Sequence, residues 1–198
     1  MKCYFFGTFN PIHRGHLEIA RQIKEKGSFE QVVFVPAFCP PHKDNSISAY
    51  DRLKMIQLSA GIENVSDIEF SLPLPSYSFR TILELKKRDN TEKINFIMGY
   101  DSFFKIESWK NPDILKKNIN FIIIPRRFGK SPIATFEHLK KRGWNFKIED
   151  IDFIDVSSNM IRDKIQKNES INGLVTPEVE EYIYEHGLYK NNSQRVLK

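Results

Sequence analysis

"KCYFFGTFNPIHRGHLEIARQIKEKG", residues 2–27, decides how the chain is organised. It opens on a short apolar run and breaks at Gly7. It then turns through Pro11 and continues into a segment with Leu17, Ala20 and Ile23 on one face and Gly27 as a stop. That order reads as a strand, a turn and an amphipathic helix. The alternation repeats downstream. "QVVFVPA" (31–37), "INFIMG" (94–99) and "NINFIIIP" (118–125) read as strands, "IEFSL" (68–72) as a candidate third strand and "NFKIEDIDF" (145–153) as an edge strand. Helices are expected over 48–61, with Leu53 and Ile56 facing inward, and over 76–88, 134–143, 157–168 and 176–187. Strands that are apolar throughout, each followed by a helix, imply a parallel sheet covered on both faces. This is a doubly wound α/β domain, whose ligands belong at the carboxyl ends of the strands.

The 198 residues suit one domain, taken as 1–189 with a small helical part from about 156, and a polar tail, 190–198, expected to fray. With 40% hydrophobic residues and 16 Phe, a sizeable core can be buried. The net charge of +5 is mild and spread along the chain, which leans at most toward anionic partners. No nucleic-acid motif or clustered basic face accompanies it. No apolar stretch is long enough to cross a bilayer, and "MKCYFFGTF" is too short for the apolar region of a signal peptide, so a cytoplasmic protein is expected. Cys3 reads as a small apolar residue of a strand. Cys39, in "AFCPPHK", has no Cys-x-x-Cys partner, so neither a disulfide framework nor a thiol site is expected.

The residues that carry chemistry fall at the strand ends. Gly7 lets the backbone turn sharply and approach a ligand, and Thr8 offers a hydroxyl and an N–H. Pro11 biases Asn10 away from helical geometry. His13 and His16 lie about one turn apart on one helix face, with the side chain between them removed at Gly15. A helix N-terminus favours anions, and two imidazoles there can donate hydrogen bonds to phosphate oxygens. Two ligands without a third make an incomplete metal site. Near the other end, "DVSSNMIRDKI" (155–165) puts Ser157 and Ser158 at a helix opening as an anion cradle, with Arg162 one turn on to supply fork geometry. Lys43 could neutralise a phosphate, Asp101 stands two residues after a strand-end glycine, and Trp109 offers an aromatic face on which a ring could stack.

"GTFNPIHRGH" (7–16) resembles the His-x-Gly-His signature of the nucleotidyltransferase superfamily, which has a Rossmann-like fold. "VSSNMIR" (156–162) resembles its second signature, I-S-S-T-x-x-R. "PPHK" (40–43), "YSFRTILEL" (77–85), "GYDSF" (99–103) with Trp109 after it, and "TPEVEEYIYEHGLY" (176–189) extend the likeness over roughly residues 1–189. The whole ordered set resembles the bacterial nicotinate-nucleotide adenylyltransferases. The resemblance implies transfer of the adenylyl group of ATP to nicotinate mononucleotide, giving deamido-NAD and pyrophosphate. It implies His13, His16 and Arg162 as catalytic residues. It puts Gly7, Thr8, Phe9, His16, Gly99, Asp101, Arg127, Ser157, Ser158 and Arg162 around ATP, and Lys43, Tyr77, Ser78 and Trp109 around the acceptor. In the family the Trp stacks on the nicotinate ring and the region of Tyr77 and Ser78 meets its carboxylate, partly through backbone N–H groups. Mg²⁺ enters with ATP and is not held directly by the protein. No nucleic acid or membrane partner is implied, and a homo-oligomer is left open.

Three positions depart from the family pattern. Phe6 stands where Gly is usual, which suggests a narrowed or reshaped loop under the triphosphate; Asn10 replaces Asp; Asn159 replaces Thr. The alternatives are an adenylyltransferase for nicotinamide mononucleotide or phosphopantetheine phosphate, or a non-catalytic nucleotide-binding module. A class I aminoacyl-tRNA synthetase relative also carries a His-x-Gly-His element, but this chain lacks a Lys-Met-Ser-Lys-Ser type loop and room for an anticodon domain.

Overall fold

Strand β1 (Lys2–Gly7) shows why the sheet is covered on both faces. Its side chains alternate: Cys3 and Phe5 enter one apolar cluster, and Tyr4 and Phe6 pack on the other. The computed structural model describes residues 1–26, 29–41, 47–124 and 133–190. Beside β1 run β2 (Gln31–Pro36), β3 (Ile94–Gly99), β4 (Ile119–Ile124) and β5 (Phe146–Ile148), in the order β2-β1-β3-β4-β5, all parallel. The helices are α1 (Arg14–Glu25), α2 (Ala49–Ala60), α3 (Ser78–Asp89), α4 (Tyr100–Phe103), α5 (Pro112–Asn118), α6 (Ile133–Lys141), α7 (Ser158–Gln166) and α8 (Pro177–Glu185). Ile23 of α1, Met55 and Ile56 of α2, Ile161 and Ile165 of α7, and Val179 and Ile183 of α8 build the first cluster. Ile82 and Leu85 of α3, Phe103 of α4, Leu115 of α5 and Leu139 of α6 build the second. The doubly wound α/β reading therefore holds.

The strand order fixes where a ligand can go. From β1 the chain steps outward to β2, then returns past β1 to β3 on its other side. The order reverses between β1 and β3, and the crevice of such a sheet opens at the carboxyl ends there. The β1–β3 ladder pairs Tyr4 with Phe96 and Phe5 with Ile97, two residues short of Gly7 and Gly99. By contrast, pairing with the outer neighbours runs to the ends, Gly7 with Pro36 and Gly99 with Ile124.

The sequence expectation fails at "IEFSL". Residues Ile68–Ser71 form a 3-10 turn, not a strand. Glu69 sits in its middle, buried, accepting from the Thr81 hydroxyl at 2.8 Å and the Phe38 N–H at 3.1 Å. A carboxylate serving two other elements holds this segment off the sheet. The edge strand is shorter than expected, covering only Phe146–Ile148 of 145–153. On α2 the buried stripe is Arg52, Met55 and Ile56, with Leu53 only half-buried. Among the described residues, no helix is long and apolar enough to cross a membrane.

Candidate active site

The loop after β1 is built around Phe9. Its backbone is left-handed (φ 50°), a conformation costing a non-glycine residue about 1–2 kcal/mol. The ring offsets this by packing edge-on against Phe5 at 5.6 Å, Phe34 at 5.4 Å and His16 at 5.0 Å between centroids. Gly7 serves that packing: a Cβ there would lie 2.7 Å from Phe9 Cζ. Phe9 itself is buried, so this loop can offer a ligand its main chain and Thr8, not the Phe9 ring.

His13 caps α1 from an extended conformation, and His16 stands three residues on. The His13 N–H donates to His16 Nδ1 at 3.3 Å, and the His16 N–H donates to the His13 carbonyl at 2.9 Å. The rings stack with centroids 3.6 Å apart. Burial pushes the His13 pKa down to about 4. His16 is held well below its ordinary value by desolvation and then by the nearby His13 ring. Both are therefore neutral at pH 7. Because His16 Nδ1 accepts, its proton is assigned to Nε2. His13 Nδ1 is buried with no hydrogen-bond partner among the described residues. The pair thus presents neutral N–H donors beside a helix N-terminus, where a doubly charged pair would repel itself.

The C-terminal part of the chain closes on this loop. Ser158 Oγ donates to the Pro11 carbonyl at 2.8 Å, and Arg162 Nη1 donates to the Asn10 carbonyl at 2.6 Å. The Tyr189 hydroxyl donates to Asn10 Oδ1 at 2.8 Å. The Arg14 N–H donates to the Leu174 carbonyl at 2.9 Å. Gly15 makes the approach feasible, since a Cβ there would lie 3.0 Å from Val156 Cγ1 and 3.1 Å from His13 Nδ1. The two signatures, about 150 positions apart, are one constellation at the switch point of the sheet.

The cytidylyltransferase-like family profile matches residues 4–164. A protein from Caldicellulosiruptor saccharolyticus described as a probable nicotinate-nucleotide adenylyltransferase is 37% identical, with 94% of this chain and 97% of that protein covered. One of the same description from Staphylococcus epidermidis is 33% identical, covering 93% and 95%. This chain belongs to the nicotinate-nucleotide adenylyltransferase family. A Plasmodium falciparum nicotinic acid mononucleotide adenylyltransferase, solved in complex with NaAD, shares the fold with a TM-score of 0.76 at 22% identity, over 95% of this chain and 96% of that one.

Seen as a nicotinate-nucleotide adenylyltransferase, the chain uses several expected residues differently from the sequence reading. The Ser158 hydroxyl gives its one hydrogen to Pro11, whereas Ser157 Oγ accepts from the Met160 N–H at 3.2 Å as an N-cap, which leaves its own hydrogen to donate. Arg162 does reach forward, to Asn10, and a second N–H goes to Asn159 Oδ1; its remaining N–H groups are left for other acceptors. Asn159, where the family has Thr, thus orients Arg162. The Phe6 ring does not lie beneath the histidines. It lies on the opposite face of the sheet, stacked on Phe96 at 4.2 Å, while Phe5 is the residue against His16. Tyr77 caps α3 and Ser78 is its first residue. Trp109 is half-buried against the second cluster, together with Phe6, Phe79 and Tyr100. Gly99 caps α4, with Asp101 exposed in its first turn. A Cβ on Gly99 would meet nothing within 4 Å, so no packing in the protein demands a glycine there, and the end of β3 stays open to close approach. Lys43 and Arg127 lie outside the described residues. Sequence reasoning missed Tyr189 and Arg52. For Arg52 the spacing 52, 55, 56 was the available signal, obscured because a charged residue on a buried stripe is rarely expected.

Proposed function

We propose that this chain transfers the adenylyl group of ATP to nicotinate mononucleotide, releasing pyrophosphate and forming deamido-NAD, in the cytoplasm. The observation that carries the reading is the joining of the His13/His16 pair to the Ser158–Arg162 turn at the β1–β3 crevice. A 5′-phosphate oxygen of the acceptor attacks the α-phosphorus of ATP as the bond to the pyrophosphate oxygen breaks. The nucleophile is already an anion, so no covalent enzyme intermediate is needed. The enzyme's work is to align two anions in line and to stabilise the charge that builds as they meet. His16 Nε2–H and His13 meet oxygens around the α-phosphoryl group as neutral donors. The free end of α7 and the unspent N–H groups of Arg162 hold the departing pyrophosphate. Mg²⁺ belongs to this proposal as part of the ATP substrate. The acceptor lies toward the half-buried aromatics of the second face, with Trp109 as the stacking surface and Tyr77 and Ser78 at the carboxylate.

The test is a panel: ATP with nicotinate mononucleotide, nicotinamide mononucleotide or phosphopantetheine phosphate at equal concentration. The expected result is fastest pyrophosphate release with the nicotinate acceptor. Preference for another acceptor overturns the substrate assignment. ATP binding without product from any acceptor overturns the enzymatic one.

A further inference from the structure

Arg52 has no exposed surface, yet no carboxylate forms an ion pair with it among the described residues. Its two Nη atoms are spent on carbonyls, while Nε is buried with no hydrogen-bond partner among the described residues. Nη1 donates to Thr8 at 2.8 Å and to Ala37 at 2.7 Å, and Nη2 donates to Phe38 at 3.1 Å. Thr8 follows β1, in the loop that leads to the histidines. Ala37 and Phe38 follow β2, in the loop that runs toward Lys43. The Ala37 N–H also donates to the Gly7 carbonyl at 2.9 Å, so the loops leave the sheet together. Phe38 is held from both sides: its carbonyl by Arg52, its N–H by the buried Glu69. Burying a guanidinium costs free energy, and an apolar side chain of similar volume is often as good or better for stability. What an apolar residue cannot do is grip three carbonyls on two loops with one rigid fork.

We propose that Arg52 is a positioning residue, fixing the loop that carries the ATP-side groups relative to the loop that leads to the acceptor. This inference rests on the adenylyl-transfer reading. It acts through Thr8, Ala37 and Phe38 and touches neither substrate. In-line attack requires the two substrates to be placed relative to each other within a fraction of an ångström, and a displacement of about 1 Å can cost about a hundredfold in rate. Binding of either substrate alone has no such requirement.

The experiment compares wild type, Arg52→Lys and Arg52→Met for kcat, and for the separate affinities of a non-reacting ATP analogue and of nicotinate mononucleotide. Thermal unfolding is followed alongside. The expected result is a graded loss of kcat: about tenfold for Lys, whose ammonium cannot span all three carbonyls, and more for Met. Each single-substrate affinity stays within about threefold. A folded Met variant with unchanged kcat overturns the proposal, as does an affinity loss as large as the loss in kcat. Should Met prevent folding, Glu69→Gln relaxes Phe38 from its other side with Arg52 intact. A smaller kcat loss with the same spared affinities is then expected, and its absence also overturns the proposal. Wild type inactive with every acceptor would instead overturn the function, whereas active wild type with equally active variants overturns only the role of Arg52.

Discussion

The two ends of the sheet are built on opposite principles. At the amino ends of the strands lies an open depression of about 630 Å³ bordered by Tyr4, Arg88, Asp89 and Asn95. Its polar groups answer one another. Arg88 donates to the Tyr4 hydroxyl at 2.9 Å, to Ser66 Oγ at 3.2 Å and to Asp89 at 3.1 Å, and the Tyr4 hydroxyl donates to Asp89. Asn95 of β3, Asn120 of β4 and Asn145, just before β5, form a side-chain ladder. At the carboxyl ends, a bulky residue holds a left-handed backbone, two imidazoles are kept neutral against each other, and Arg162 keeps N–H groups beyond those given to Asn10 and Asn159. An open depression alone therefore marks no site, and unspent hydrogen-bonding capacity points to the other end. A network that closes on itself stabilises the fold, whereas donors held in place without partners are what an incoming anion requires.

The largest effect that tests this contrast is His16→Ala. Removing a preorganised donor to transition-state charge costs about 2.7–4 kcal/mol, so kcat should fall on the order of a hundredfold or more in a variant that still folds, even though Ala also gives up the ring packing on Phe9. Near-normal turnover would break the distinction between the two ends. A comparable effect on stability follows from His13. Above pH 6.5 this ring is neutral in both folded and unfolded chains. As the pH falls through 6.5 the unfolded chain gains a proton that the folded site resists until about 4, so stability is lost across that window and levels off below it. The loss from this ring is about 3 kcal/mol, with His16 acting in the same direction. Urea midpoints measured from pH 7 to pH 4 should show the slope, and His13→Gln should flatten it. The smallest effect belongs to the closed end. Tyr4→Phe removes one buried hydroxyl from a network that keeps its Arg88–Asp89 pair, costing about 1 kcal/mol of stability with kcat unchanged. A kcat loss there would show that the amino end takes part in function after all.

The sequence made much of this readable. Runs such as "INFIMG" have too little polarity for anything but a doubly covered strand, and they became β3 and β4 with Gly99 at an open end. The spacing of His13 and His16, and the serine start of α7, were legible because helix caps are decided within a few residues. The misreadings share one cause. Ile68 and Phe70 alternate like a strand, but Glu69 between them is claimed by Thr81 and Phe38, so the segment curls. Arg52 went unread because its three carbonyl partners lie 14, 15 and 44 positions away. Phe6 looked like part of the loop below the triphosphate, but strand alternation sends neighbouring side chains to opposite faces, and only the packed sheet shows that the histidines share a face with Phe5.

By itself the sequence determined most of the order of strands and helices, with 68–72 and the short helices α4 and α5 as the exceptions, and the ordered motifs of the family, because these depend on neighbours a few residues apart. The tertiary structure alone decided which hydroxyl is spent and which donor is spared. Ser158 meets Pro11 across 147 positions and Arg162 meets Asn10 across 152. Each such choice depends on a hydrogen-bond geometry of a few tenths of an ångström, which exists only once the sheet and its helices have brought those atoms together.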